Sequence, residues 1–201
     1  TATTFLLLVG VSLQLGGARA KLAQRSKAAV WRRQLRRGLI VLAGGMVVTV
    51  ATWLVVGEGY VRFGILHLIG VSMLLAYPLL RFGRWNLALG VGLIAVGAAL
   101  RGVTVDVPWL LWLGFTPRDF YTVDYFPLLP WFGVILIGLY LGQVAYRDHA
   151  RQFRLPDLAA WLPIRLISWL GRHSLPSYLL HQPALIGMLI LLGIVPVDAP
   201  R

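Results

Sequence analysis

Two of the chain's four histidines lie in one run near its C-terminal end, Gly171-Arg172-His173-Ser174-Leu175-Pro176-Ser177-Tyr178-Leu179-Leu180-His181-Gln182-Pro183. Ser174, Tyr178 and His181 are spaced i, i+4 and i+7, so a helix puts them on one face. Ser174 suits the N-cap, where its hydroxyl accepts from a free N–H of the first turn. Pro176 then falls inside that turn, where its missing N–H costs little. His181 is set about 10 Å into the helix by helical rise. A polar stripe on a membrane-spanning helix must face protein or water, because lipid offers no partner. Two readings stay open. The stripe is a helix–helix hydrogen-bond contact, or it is one wall of an intramembrane site. In the second reading His181 is a candidate catalytic residue, and Ser174 and Tyr178 are candidate binding residues. Arg172 and His173 stand at the membrane edge, where they could contact an anionic group.

His67 and Asp124 carry further possibilities. His67 lies one to two turns into an apolar run, five residues after Arg62. A histidine at that depth can hold a proton near neutral pH or act as nucleophile or base. The alternative is a ring hydrogen-bonded to a neighbouring helix. Asp124 stands in Thr122-Val123-Asp124-Tyr125-Phe126-Pro127-Leu128-Leu129-Pro130-Trp131, ahead of a predicted helix. There it caps that helix through the dipole, or it faces the outer mouth of the bundle, able to pair with Arg62 or take a substrate proton. His149 reads as a solvated loop residue. The histidines show no HxxxH or HExxH spacing, so no metal site is expected. The stretch Arg32-Arg33-Gln34-Leu35-Arg36-Arg37 has three open roles. It sets topology, touches anionic lipid, or draws in a polyanionic cytosolic ligand such as a nucleotide-bearing cofactor. Arg36 and Arg37 are the candidate binding residues for the last role. No phosphate-binding glycine loop and no GxSxG elbow accompany them.

Composition says what must position these residues. Of 201 residues, 58% are hydrophobic and 13% are charged, far from the quarter charged that is usual in a soluble domain. Several uncharged stretches approach the length needed to cross a hydrocarbon core of about 30 Å. The expectation is an all-α, polytopic transmembrane helical bundle, one domain over 1–201. Alternating strands of a β-barrel are absent from the pattern, and with no cysteine there is no thiol chemistry. Six spans are predicted, over residues 1–17, 38–57, 63–80, 85–100, 125–146 and 174–197. Pro183 should kink the last one. The first four are separated by a basic segment 18–37, a short loop with Glu58, Tyr60 and Arg62, and a basic loop 81–84. The fifth lies between an aromatic and acidic segment 101–124 and a basic segment 147–172. Gly138 and Gly142 form a small-xxx-small pair on the fifth. Residues 157–170, with Leu158, Leu162 and Leu166 at helical spacing and Pro163 interrupting them, read as a short interfacial helix. Residues 107–115 read as a half-buried outer loop or as an ordinary aromatic belt.

The net charge of +12 does not point to nucleic acid, because the basic residues sit in loops. With the 18–37 loop in the cytoplasm, fifteen of the nineteen Lys/Arg fall on the cytoplasmic side and five of the seven acids on the other. That satisfies the positive-inside rule. It makes this an integral membrane protein, expected in a bacterial inner membrane with the basic loops inside. Membrane lipids are partners by construction, and a homo-oligomer is left open.

Four runs, in order, resemble one family. They are Thr4-Phe5-Leu6-Leu7-Leu8-Val9-Gly10-Val11-Ser12-Leu13, Arg62-Phe63-Gly64-Ile65-Leu66-His67-Leu68-Ile69-Gly70, Val123-Asp124-Tyr125-Phe126-Pro127-Leu128-Leu129-Pro130-Trp131-Phe132-Gly133, and the run 171–183. They look like bacterial members of the heparan-alpha-glucosaminide N-acetyltransferase catalytic-domain family, within the transmembrane acyltransferases. The resemblance implies transfer of an acetyl or other acyl group from cytosolic acyl-CoA to an amine or hydroxyl of a sugar or glycan at the opposite face. It implies acyl-CoA, acetyl-CoA included, as donor substrate and no metal. A buried histidine would carry the acyl group or act as base. It places the acceptor mouth near Arg62, Asp124 and the Asp106–Asp119 loop. In the family a span with an arginine-glycine motif and the principal catalytic histidine precede the stretch resembling Thr4–Leu13. The chain is therefore expected to be N-terminally truncated, with that histidine before residue 1. His67 and His181 are family-like core positions. The rival classes are a small-molecule exporter, with the same polar residues lining a path, and a membrane scaffold without catalysis.

Overall fold

The structure is a computed structural model that describes residues 1–24, 26–146, 161–173, 175–177, 179, 180 and 188. The chain divides into two compact units, Thr1–Phe153 and Arg154–Arg201.

In the first unit five helices alternate in direction: α1 (Ala2–Leu22), α2 (Lys27–Val56), α3 (Ile65–Leu79), α4 (Trp85–Ala99) and α5 (Leu128–Ala145). Helix directions follow from which residues meet. The Leu7 carbonyl lies against Gly138, and Val11 and Gln14 lie against Gly142, so α1 and α5 run parallel. Gly90 meets Gly133 and Ile137 while Gly97 meets Pro130, so α4 runs antiparallel to α5. Gly38 meets Gly70 and Leu74 while Gly45 meets His67, so α2 runs antiparallel to α3. Small residues at these crossings let backbones approach where lipid supplies no hydrophobic drive for association. The predicted pair Gly138 and Gly142 is the α5 side of the α1 contact. The core is Leu6, Leu68, Ile135, Leu136 and Leu139, with Ile69, Ala76 and Phe132 beside them.

The structure changes the predicted bounds. Three described helices, α1, α2 and α5, are long and apolar enough to cross a membrane. α3 and α4 are shorter apolar helices of fifteen residues each. Six spans are thus not all found at spanning length, and the predicted sixth lies almost wholly outside the described residues. The segment 18–37 is not a loop: α1 runs on to Leu22, and α2 begins at Lys27. Its Ala, Lys, Arg, Gln and Leu residues are good helix formers. Ser26 supplies the N-cap, with Oγ accepting from the Ala29 N–H at 3.2 Å. The third helix starts two residues late because Phe63 is held extended in a bridge to Tyr125. The fifth starts at Leu128 after Pro127, so Asp124 does not open it.

In the second unit the described residues include α6 (Leu162–Arg172). Pro163 does not interrupt it. It occupies the first turn, where its missing N–H is no loss. Leu162, Leu166, Ile167 and Trp169 are exposed, as the apolar face of an interfacial helix is.

Candidate functional site

The N-terminus of α3 gathers two of the candidate residues. A helix start leaves N–H groups without intrahelical partners. Here the Gly64 N–H donates to Nδ1 of His67 at 3.2 Å, the reach-back half of a capping box. The next N–H, of Ile65, donates to Oδ2 of Asp124 at 3.2 Å. Asp124 therefore caps a helix almost sixty residues earlier in the chain. Any side chain at position 64 would collide with its carboxylate, so Gly64 leaves the space that Asp124 fills. Burial pushes the Asp124 carboxyl above the ordinary carboxylate range, and the Ile65 N–H pulls it partly back.

His67 is buried at 4% exposure. Since Nδ1 accepts from Gly64, the proton belongs on Nε2. Nε2 lies 3.4 Å from Oγ1 of Thr49 on α2, and that hydroxyl donates to the Val61 carbonyl at 2.7 Å. Thr52, three residues on, accepts from the Val61 N–H at 3.0 Å. Gly45 lies flat against the imidazole, and a Cβ there would stand 3.0 Å from the ring. The Phe63 ring lies beside it, tilted by 33° with centroids 5.5 Å apart. Both ring nitrogens are thus engaged by protein, in the neutral tautomer.

The segment that carries Asp124 is stitched to the chain before α3. Val123 N–H donates to the Gly59 carbonyl at 3.0 Å and Phe126 N–H to the Phe63 carbonyl at 2.9 Å. The Thr122 hydroxyl donates to the Tyr60 carbonyl at 2.8 Å. The Tyr125 hydroxyl donates to the Leu111 carbonyl at 2.6 Å, and burial pushes its phenol up to about 12, so it serves as a donor rather than a base.

Beside this joint is an open cavity of about 760 Å³, lined by Trp53, Glu58, Tyr60, Arg62, Asp106, Arg118, Asp119, Phe120 and Tyr121 among others. The Arg62 guanidinium stands over the rings of Tyr60, at 5.2 Å, and Phe120, at 5.6 Å. His67 and Asp124 are not in the cavity wall. Arg62, two residues before Gly64, connects the wall to the capped helix start.

The opposite end of the same unit is basic. Among the described residues it holds nine Lys/Arg, from Arg19 and Lys21 through the α2 cluster to Arg81 and Arg84, and no acid. The acid-bearing end has Glu58, Asp106, Asp119 and Asp124 with three arginines. Arg36 lines a lateral groove on α2 with Arg32, whereas Arg37 does not. Ser174, Tyr178, His181 and His149 lie outside the described residues, as does the side chain of Arg172. In the second unit His173 is exposed, its Nδ1 3.0 Å from the Trp169 carbonyl and its ring 4.7 Å from the Trp169 ring. Among the described residues no group of three His, Cys, Asp or Glu could hold a metal.

Thr49, Thr52 and Gly45 were not among the sequence candidates. Two threonines three residues apart in an uncharged span are a signal that one face meets polar atoms.

The sequence model of the family described as heparan-alpha-glucosaminide N-acetyltransferase, catalytic, matches residues 1–183. The chain belongs to this family. The match takes in every candidate residue named above, from Arg36 to His181. Membership in the N-acetyltransferase family assigns it acetyltransferase activity in general and agrees with its apolar helices. No curated protein and no solved structure matches the chain.

Proposed function

We propose that this protein moves an acetyl or other acyl group from cytosolic acyl-CoA to an amine or hydroxyl of a sugar at the extracytoplasmic face. The outer cavity is the observation that carries the reading. Its rings offer apolar faces to a pyranose, and Glu58, Asp106 and Asp119 can accept from hydroxyl or ammonium groups. The capped start of α3 lies next to it in sequence and supplies Asp124. A half-buried carboxyl with raised proton affinity, set behind the cavity wall, suits a general base that takes the acceptor proton through one intervening water. His67 is a positioning residue here, because its two ring nitrogens are held. His181, with Ser174 and Tyr178 on the same predicted face, is a candidate to carry the acyl group. Its imidazole would attack the thioester carbonyl, release CoA thiol and form an acyl-imidazole, and the acceptor amine would then take the acyl group and restore the ring. Charge asymmetry supports the donor side: CoA is a polyanion, and Arg37 belongs to the end that carries nine basic residues and no acid among the described residues. Arg172 and His173 are kept as donor-binding residues from the sequence reading.

Equilibrium binding of radiolabelled acetyl-CoA to the purified full-length gene product, followed by transfer to glucosamine in proteoliposomes, tests this. Saturable binding that weakens in Arg37→Gln and Arg172→Gln is expected. Asp124→Asn should bind donor normally and lose transfer by about a hundredfold or more. No binding at millimolar acetyl-CoA sinks the proposal, and undiminished transfer in Asp124→Asn removes Asp124 from the reaction.

A further inference from the structure

α2 has a second surface that the reaction does not use. Gly38 and Gly45 face α3. Well over a quarter-turn around the same helix, Arg32 and Arg36 stand one turn apart above a shallow groove of about 580 Å³, open on its outer side and lined by Leu35, Leu39, Ile40 and Ala43 of the same helix. At 3.6 residues per turn these six positions share a lateral face pointing away from the α3 contact. The apolar track continues on that face through Val47, Val50 and Leu54, which are 61%, 51% and 69% exposed.

Depth fixes what this surface meets. The uncharged run from Gly38 to Val56 rises roughly 28 Å, close to the hydrocarbon thickness. Arg32 and Arg36 therefore fall in the headgroup layer and Leu39 to Ala43 just inside the acyl layer. From Leu35 to Ala43 the groove rises about 12 Å, against about 15 Å for one leaflet's acyl region. We infer that this face is a binding site for one anionic glycerophospholipid, its phosphate between Arg32 and Arg36 and an acyl chain in the groove. A second copy of the chain fits poorly, because symmetric packing would set the arginine pair against itself. A donor acyl-CoA fits poorly because the groove faces away from the α3 contact, on the outside of the helix pair. A free phosphate leaves the apolar floor unused. This inference does not depend on the acyltransferase reading.

Native mass spectrometry of the full-length protein in neutral detergent, titrated with phosphatidylglycerol or phosphatidylcholine, tests it. Wild type should hold one phosphatidylglycerol on the order of tenfold more tightly than phosphatidylcholine, as two surface arginines allow. Arg32→Gln/Arg36→Gln should abolish that preference, while Arg33→Gln/Arg37→Gln, on the other flank, should retain most of it. Ala43→Trp, which fills the groove and keeps the arginines, should weaken binding of the same lipid. All three variants change exposed or groove positions and are checked for folding by size-exclusion profile and circular dichroism. Equal loss in the two arginine pairs would mean diffuse attraction and overturn the site. Unchanged binding in Ala43→Trp would overturn the groove, and one-for-one displacement by palmitoyl-CoA would reassign it to the donor.

Discussion

At Asp124 one carboxylate has two jobs that substitution can separate. Asparagine keeps an acceptor for the Ile65 N–H and alanine does not. Asp124→Ala should lose about 1–3 kcal/mol of stability through the orphaned helix-start donor, and Asp124→Asn should lose less, which thermal unfolding in detergent measures. The pH dependence has a definite sign. The folded carboxyl holds its proton more tightly than the unfolded one, so its contribution favours the fold below the ordinary carboxylate range. That contribution is lost as pH rises through the raised value. The stability of Asp124→Asn relative to wild type should therefore increase with pH across that window; a flat difference would contradict the assignment. Thr49→Val takes the hydroxyl from between His67 and Val61 and should cost about 1–3 kcal/mol, with Thr49→Ser restoring most of it. Identical melting of Thr49→Val and wild type would rule out the buried strut. His67 and Asp124 were visible in the sequence as polar residues at the edges of apolar runs. Their partners were not. Spacing along one helix says nothing of a carboxylate that caps a helix across sixty residues, or of a threonine reaching in from the preceding helix.

Helices are where the sequence was most legible and their ends least so. Hydropathy located α1 to α5, because a buried or lipid-facing helix needs an unbroken apolar run. It misplaced the ends of α1 and α2, since hydropathy reads charge as loop where Arg, Lys and Ala propensity and the Ser26 cap carry the helix on. Pairing came through glycines in one case, Gly138 and Gly142, but their partner on α1 was not readable. A Cβ at Gly10 would overlap the Ile135 carbonyl and the Gly138 backbone. Gly10→Ala should force α1 from α5 and cost about 1–3 kcal/mol. Gly16→Ala on the same helix meets nothing within 4 Å and should be neutral or gain up to about 1 kcal/mol from helix propensity. Equal melting temperatures for the two variants would mean that the glycine contact does not hold the helices together.

Among the described residues of the first unit the two ends differ in charge, and that difference is the basis for its proposed orientation. The chain has no cysteine, so single introduced thiols report sidedness cleanly. A membrane-impermeant maleimide should label Tyr121→Cys in intact cells and Ala23→Cys only after permeabilisation; the reverse pattern would invert the topology. Size adds something that orientation does not. α4 packs one side on α5 and exposes Leu89, Val91 and Val96 on the other, yet its fifteen residues rise only roughly 22 Å. Lipid lying against that flank must thin to meet so short a wall. The two water layers come closer together there than beside the longer α1, α2 and α5, and a group passed from one side to the other beside α4 crosses less oil than it would beside those helices.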